Sequence, residues 1–193
     1  MTIRIEIRPL APADIPFLTG FDPNFTSDSV LDVHKAGAGL AQSWSLIERR
    51  LAEPYDKGRR YDLLQEDLDA IARRLAAGDG LYLVAEEAGR IIGLLDMERI
   101  PWNNSAWLWN LLVDRAHRRQ GLGRQLFQRA IDYARQAGLR VILIETQSNN
   151  VPACRFYAAM GCELAGLNDV LYSNEDLELG EVALFWAYRI AGR

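Results

Sequence analysis

Apolar positions recur at helical spacing over residues 61–77, where Leu64, Leu68, Ile71 and Leu75 fall on one side and Glu66, Asp69, Arg73 and Arg74 on the other. That pattern predicts an amphipathic helix, with Gly78 as its stop. Residues 1–8 instead alternate apolar and charged side chains at period two, which predicts a strand and lacks the unbroken apolar run of a signal peptide. Pro9, Pro12 and Pro16 then allow a turn and at most a short helix over 13–18. Residues 25–50 carry two readings. They form either strands at 30–34 and 40–49 joined across the glycines at 37 and 39, or a helix at 46–51.

Further along, strands are predicted at 81–86 and 90–99 around the tight turn Glu87-Ala88-Gly89. More strands are predicted at 107–113, at 140–146, at 163–172 with a break at Gly166, and at 181–190. Helices are predicted at 125–136 and 151–160, the second closed by Gly161. Antiparallel strands, two β-α units and a terminal hairpin make an α/β protein of the α+β type, a mixed sheet with helices on both faces.

Composition narrows the partners. The chain has 193 residues, 49% of them hydrophobic, enough for one domain spanning 1–193 with a full core. It carries 22 basic and 26 acidic residues, a net charge of −4 that argues against nucleic acid and anionic membrane and favours a cationic ligand. No stretch reaches the ~18 apolar residues of a membrane span. The two cysteines, Cys154 and Cys162, have no metal-ligand spacing to the two histidines, so no metal is expected, and the expected compartment is the reducing cytoplasm. His117 is expected to orient its turn rather than do chemistry.

The chemistry concentrates in residues 106–160, which read strand, glycine turn, helix, strand, helix. The first N–H groups of a helix lack internal partners and sit at the positive end of its dipole, so such a turn is an anion cradle. Gly121 and Gly123 allow close approach to the backbone, and Arg118, Arg119 and Arg124 add charge. A dinucleotide fingerprint or a P-loop would need spacings that this segment lacks. It does contain Arg-x-x-Gly-x-Gly at Arg118, Gly121 and Gly123, and then Asn-x-x-Ala-x-x-x-Tyr at Asn150, Ala153 and Tyr157. That pair resembles the coenzyme A site of the GNAT superfamily of N-acetyltransferases. Residues 144–157, 164–167 and 184–188 resemble its streptothricin acetyltransferase branch, and Leu31-Asp32-Val33-His34 and Tyr55-Asp56-Lys57 do so more loosely.

The resemblance implies a GNAT fold: a twisted, mostly antiparallel mixed sheet flanked by helices, with splayed central parallel strands. It implies acetyl-CoA as cofactor, with the pyrophosphate on the N–H groups of Gln120, Gly121, Leu122, Gly123 and Arg124, beside Arg118 and Arg119. Leu111, Leu112 and Val113 would bond the pantetheine and point an N–H at the thioester carbonyl. Asn150 is a helix N-cap, a contact to the coenzyme arm, or both; Ala153 completes the motif. Tyr157 matches the acid that protonates the departing thiolate, which suits a phenol already protonated at neutral pH. Many relatives keep a glutamate near the middle of the strand that here reads Trp107-Leu108-Trp109-Asn110, and this chain has none there. The base and the binding of a cationic amine therefore fall to Asp96, Glu98 or Glu145, each of which reads equally as an ion-paired strand residue. The implied reaction is direct transfer from acetyl-CoA to a primary amine, the acceptor being streptothricin or another amine such as a polyamine, an aminoglycoside or a protein N-terminus. A non-catalytic acyl-CoA-binding module is the other reading. The apolar last strand leaves a homodimer open.

Overall fold

The computed structural model describes residues 4–190; positions 1–3, the start of the expected first strand, lie outside the described residues. In chain order the elements are β1 (Ile5–Pro9), β2 (Thr26–Ala36), β3 (Ser43–Asp56), α1 (Gln65–Ala77), β4 (Gly80–Glu87), β5 (Arg90–Ile100), β6 (Ser105–Val113), α2 (Leu122–Gln136), β7 (Val141–Gln147), α3 (Val151–Ala159), β8 (Glu163–Asn168), α4 (Asp176–Leu179) and β9 (Ala183–Arg189). They divide into two compact units. One comprises residues 4–24, 58–143 and 189–190, the other residues 25–57 and 144–188.

In the first unit β1, β4, β5 and β6 are hydrogen-bonded in that order, every neighbour antiparallel. The β4–β5 hairpin closes through Ala88 (φ +50°) and Gly89 (φ +82°), the paired left-handed residues that match the twist of the strands they join. α1 begins where the Asp67 carboxylate accepts the Leu64 N–H at 2.8 Å. It buries Leu68 and Ile71 against Leu10, Leu18, Phe21, Val84, Ile91 and Leu94. Ile71 is wholly enclosed, and burial of a side chain that size contributes about 2–3 kcal/mol. The segment before β2 is a 3-10 helix, Pro12–Gly20, longer than the short helix expected. α2 buries Leu122, Leu126, Phe127, Ala130, Ile131 and Ala134 along one side.

One irregularity in this sheet has a local cause. Asp96 pairs with Asn110 and Met97 with Leu108, so Trp109 is an extra residue in β6. Such a bulge bends its strand and re-aims the residues beyond it, here Leu111 to Val113.

In the second unit β2 and β3 form a two-stranded antiparallel hairpin. The helical reading of residues 46–51 is thereby corrected: β3 runs through them as a strand. Two-sided exposure of β3 removes the strict alternation that would have announced it. β9 lies between β7 and β8 in the sheet order, and β8 pairs with it antiparallel, with an irregularity between Leu164 and Gly166. β8 ends at Asn168 rather than at residue 172 as expected, and the chain then turns into α4. There Asp176, almost wholly buried, accepts the N–H groups of Tyr172 and Ser173 at 3.0 and 2.7 Å.

Candidate active site

The expected residues fall in both units: Asp96, Glu98, the Leu111–Val113 edge and the Arg118–Arg124 turn in the first, Glu145, Asn150, Ala153 and Tyr157 in the second. In the first unit the chain leaves β6 through a 3-10 turn, Arg115–His117, capped by the Asp114 carboxylate, which accepts the Ala116 N–H at 2.9 Å. Arg119 (φ +59°) and Gly121 (φ +87°) both take the left-handed conformation, and α2 starts at Leu122, three residues before the sequence suggested. A methyl group built at Gly121 would meet no atom within 4 Å, so the backbone there is open to a ligand. The first turn of α2 carries no acidic side chain, and its N–H groups at Leu122, Gly123 and Arg124 precede the first intrahelical bond, from Gln125 N to Gly121 O at 3.0 Å.

The arginines divide the work. Arg118 is half-buried and uses its guanidinium as a strut, donating to the carbonyls of Val113 (3.0 Å) and Pro23 (2.6 Å). Burial lowers its pKa from the ordinary guanidinium value. It braces the turn, while Arg119, Gln120 and Arg124 are exposed. The cradle suits a pyrophosphate: open backbone, unpaired helix dipole, exposed cations.

Asp96 differs from the expectation of a carboxylate open to an amine. It is wholly buried, held by Nε and Nη2 of the Arg74 guanidinium and by Asn110 Nδ2 at 3.0 Å. Arg74 lies 5.0 Å from the Trp109 ring centroid, so the ion pair packs against the bulge residue. Glu98, two residues on, is half-buried and accepts Trp109 Nε1–H at 2.9 Å. Arg74 and Asn110 carried no sequence signal for this role, because nothing in their spacing ties α1 and β6 to residue 96.

In the second unit Asn150 caps α3, its side-chain oxygen accepting the Ala153 N–H at 3.2 Å. Ala153 and Tyr157 come at spacings three and four and so share its face. Tyr157 is buried, its ring 5.1 Å edge-on from Phe156. Glu145, on β7, is half-buried and accepts the Tyr172 hydroxyl. Burial raises its pKa above the ordinary carboxylate value; the Tyr172 bond and Lys57 pull down, and Glu181 pushes up. Lys57 and Glu181 are themselves an ion pair. Sequence reading missed Tyr172 and Glu181, although Lys57 closes the polar Tyr55-Asp56-Lys57 stretch. No helix among the described residues is long and apolar enough to cross a membrane, and among them no group of three or more His, Cys, Asp or Glu residues is placed to hold a metal ion.

A family model described as "Acetyltransferase (GNAT) family" matches residues 43–162. The chain belongs to this family. It is an N-acetyltransferase with the mixed, mostly antiparallel α/β fold of that family. The acetyltransferase is 30% identical over 182 residues to streptothricin acetyltransferase from Streptomyces lavendulae, covering 93% of this chain and 92% of that one. It is 30% identical over 146 residues to streptothricin acetyltransferase A from Bacillus subtilis (strain 168), covering 76% and 80%. Among solved structures, nourseothricin acetyltransferase superposes with a TM-score of 0.79 at 26% identity, covering 97% of this chain and 99% of that one.

Proposed function

We propose that this acetyltransferase transfers an acetyl group from acetyl-CoA to a primary amine of a small polycationic acceptor of the streptothricin type, by direct attack in a ternary complex. The observation that carries the acceptor class is the likeness, over more than nine-tenths of both chains, to the Streptomyces lavendulae enzyme. Streptothricins bear amines that are protonated at neutral pH, and the net charge of −4 suits such a ligand. We read the chain as one catalytic domain, because the family match over 43–162 draws on residues of both compact units.

The acetyl donor of the family is acetyl-CoA, which supplies an acyl group already activated as a thioester. In our reading the N–H groups of residues 120–124 hold its pyrophosphate with Arg119 and Arg124, and Arg118 keeps the turn in shape. The Leu111–Val113 edge, re-aimed by the Trp109 bulge, orients the pantetheine and offers an N–H to the thioester oxygen, where negative charge develops as the amine attacks.

An ammonium has no lone pair, so a base must first take a proton from it. Glu145 is the better candidate, since burial lifts its affinity for a proton and the Tyr172 hydroxyl fixes its carboxylate. Asp96 is already neutralised by Arg74, and we assign it to structure. Tyr157 gives its phenolic proton to the leaving sulfur. Direct transfer also agrees with the thiols. Burial raises Cys154 and pushes Cys162 up to about 12, so both are protonated at neutral pH and poor acyl acceptors. Two buried free thiols suit a reducing cytoplasm.

Coenzyme thiol release tests this reading. It should appear when streptothricin is added to enzyme and acetyl-CoA, with no acetyl group retained on the protein in the absence of an amine. Tight coenzyme A binding without thiol release on any amine would replace the enzyme by a binding module.

A further inference from the structure

The turn that starts α2 is held from below by a histidine whose two ring nitrogens both face carboxylates. His117 Nδ1 lies 3.0 Å from Asp114 Oδ1, and Nε2 lies 3.1 Å from Glu87 Oε2. An ionised carboxylate only accepts, so both nitrogens must carry hydrogen for both contacts to be hydrogen bonds. That condition is met only by the imidazolium. We propose that His117 is a positioning residue, a cationic clamp between Asp114 and Glu87 that ties the Arg118–Arg124 turn to the end of the β4–β5 hairpin and so sets the affinity for the coenzyme.

The clamp adds a second tie between segments already joined by the Asp114 N–H, which donates to the Ile92 carbonyl at 2.8 Å. Asp114 Oδ1 also accepts the Ala116 N–H, and its second oxygen accepts Arg90 Nη2 at 3.0 Å and the Asp22 N–H at 3.3 Å. Asp114 is almost wholly buried, whereas Glu87 is half-buried at the hairpin turn. The charged groups around the ring are therefore Asp114 with Arg90 from β5, Glu87 from β4, and the flanking Arg115 and Arg118 on the turn itself. The two carboxylates raise the His117 pKa, the Asp114 bond most, with burial opposing. Because the folded value is raised, the clamp is complete below the ordinary histidine pKa of 6.5 and is lost as pH rises through the folded value. Loss of one ring proton leaves one carboxylate facing a lone pair, and the turn comes loose on that side.

This inference rests on the turn being the pyrophosphate site, and two measurements separate the two ideas. Acetyl-CoA affinity is measured by calorimetry, without amine, across pH 6.5 to about 9 for the wild type, His117→Gln, Glu87→Gln and Gly121→Val. The wild-type dissociation constant should rise at least about tenfold across the range, the size of one lost charge-assisted hydrogen bond. His117→Gln and Glu87→Gln should start weaker and stay flat, with kcat at saturating acetyl-CoA unchanged. Gly121→Val should bind at least tenfold more weakly at every pH. Nitrogen-15 spectra of the His117 ring should show both N–H groups at pH 6.5 and one at the high end. Wild-type affinity flat with pH, or parallel slopes in wild type and His117→Gln, would overturn the clamp while leaving the site. Normal binding by Gly121→Val would overturn the site, and the ring spectra alone would then show whether the imidazolium is held.

Discussion

Replacing Asp96 by Asn should destabilise the protein without removing its chemistry. The carboxylate is fully enclosed and accepts from Arg74 Nε at 3.1 Å, from the same guanidinium at Nη2, and from Asn110 Nδ2 at 3.0 Å. An asparagine there presents one NH₂ group to donors and leaves the guanidinium, only 16% exposed, without a counter-charge. Removing one partner of a buried ion pair costs about 3–5 kcal/mol, and the remaining exposure of Arg74 favours the lower figure, about 3 kcal/mol. With a urea slope of about 2 kcal/mol/M, the unfolding midpoint should fall by about 1.5 M. The double variant Arg74→Met/Asp96→Leu should recover part of that loss, since an apolar pair leaves no buried charge uncompensated, while Asn110 Nδ2 loses its acceptor. Urea titrations followed by tryptophan fluorescence measure it, and kcat/KM at low temperature should stay within about threefold of wild type. An unmoved midpoint with kcat/KM lowered about 100-fold would refute the reasoning and make Asp96 the base.

Glu145→Gln should lower kcat/KM for the amine about 100-fold with acetyl-CoA affinity unchanged, and raised pH should restore rate as the amine deprotonates. Because the folded pKa of Glu145 is raised by burial, its charge opposes folding as pH climbs from 4.5 through that value; the variant should lose both this decline in stability and the acid limb of the rate profile. Tyr157→Phe should lower kcat about 100-fold with the donor KM intact, read by steady-state thiol release. Gly121→Val forces a branched residue to φ +87°, so acetyl-CoA KM should rise at least tenfold and the unfolding free energy fall by about 1–2 kcal/mol.

How much the sequence disclosed depended on whether the signal was local. α1, the β4–β5 hairpin, β6 and the glycine turn were legible because period, turn residues and caps all lie within a few positions of one another, although α1 begins at Gln65 and not at residue 61 as expected, with Leu64 outside it as the N-cap. The α2 start was missed by three residues, since Gly123 reads as part of the turn but sits inside the helix. The β2–β3 hairpin was ambiguous because most of β3 faces solvent and has no apolar face to declare itself. α4 is one turn long and is made by Asp176 binding the backbone ahead of it, an arrangement without periodicity. At the candidate site, the helix that Asn150 caps was legible in the sequence, whereas the roles given to Asn150 and Tyr157 come from the family resemblance. The fates of Asp96 and Glu145 were not legible, because Arg74 lies 22 residues from the first and Tyr172 lies 27 from the second. Spacing on a strand shows which carboxylates share a face and not which of them a distant residue will neutralise.

The most direct measurement is kcat/KM for streptothricin set against spermidine, an aminoglycoside and an N-terminal peptide under saturating acetyl-CoA, by thiol release and mass detection of the acetylated amine. A single acetyl group on streptothricin is expected, with a kcat/KM at least 100-fold above that for every other amine, equivalent to about 2.7 kcal/mol of differential transition-state binding. A rate on streptothricin no better than that on spermidine would contradict the proposed acceptor class.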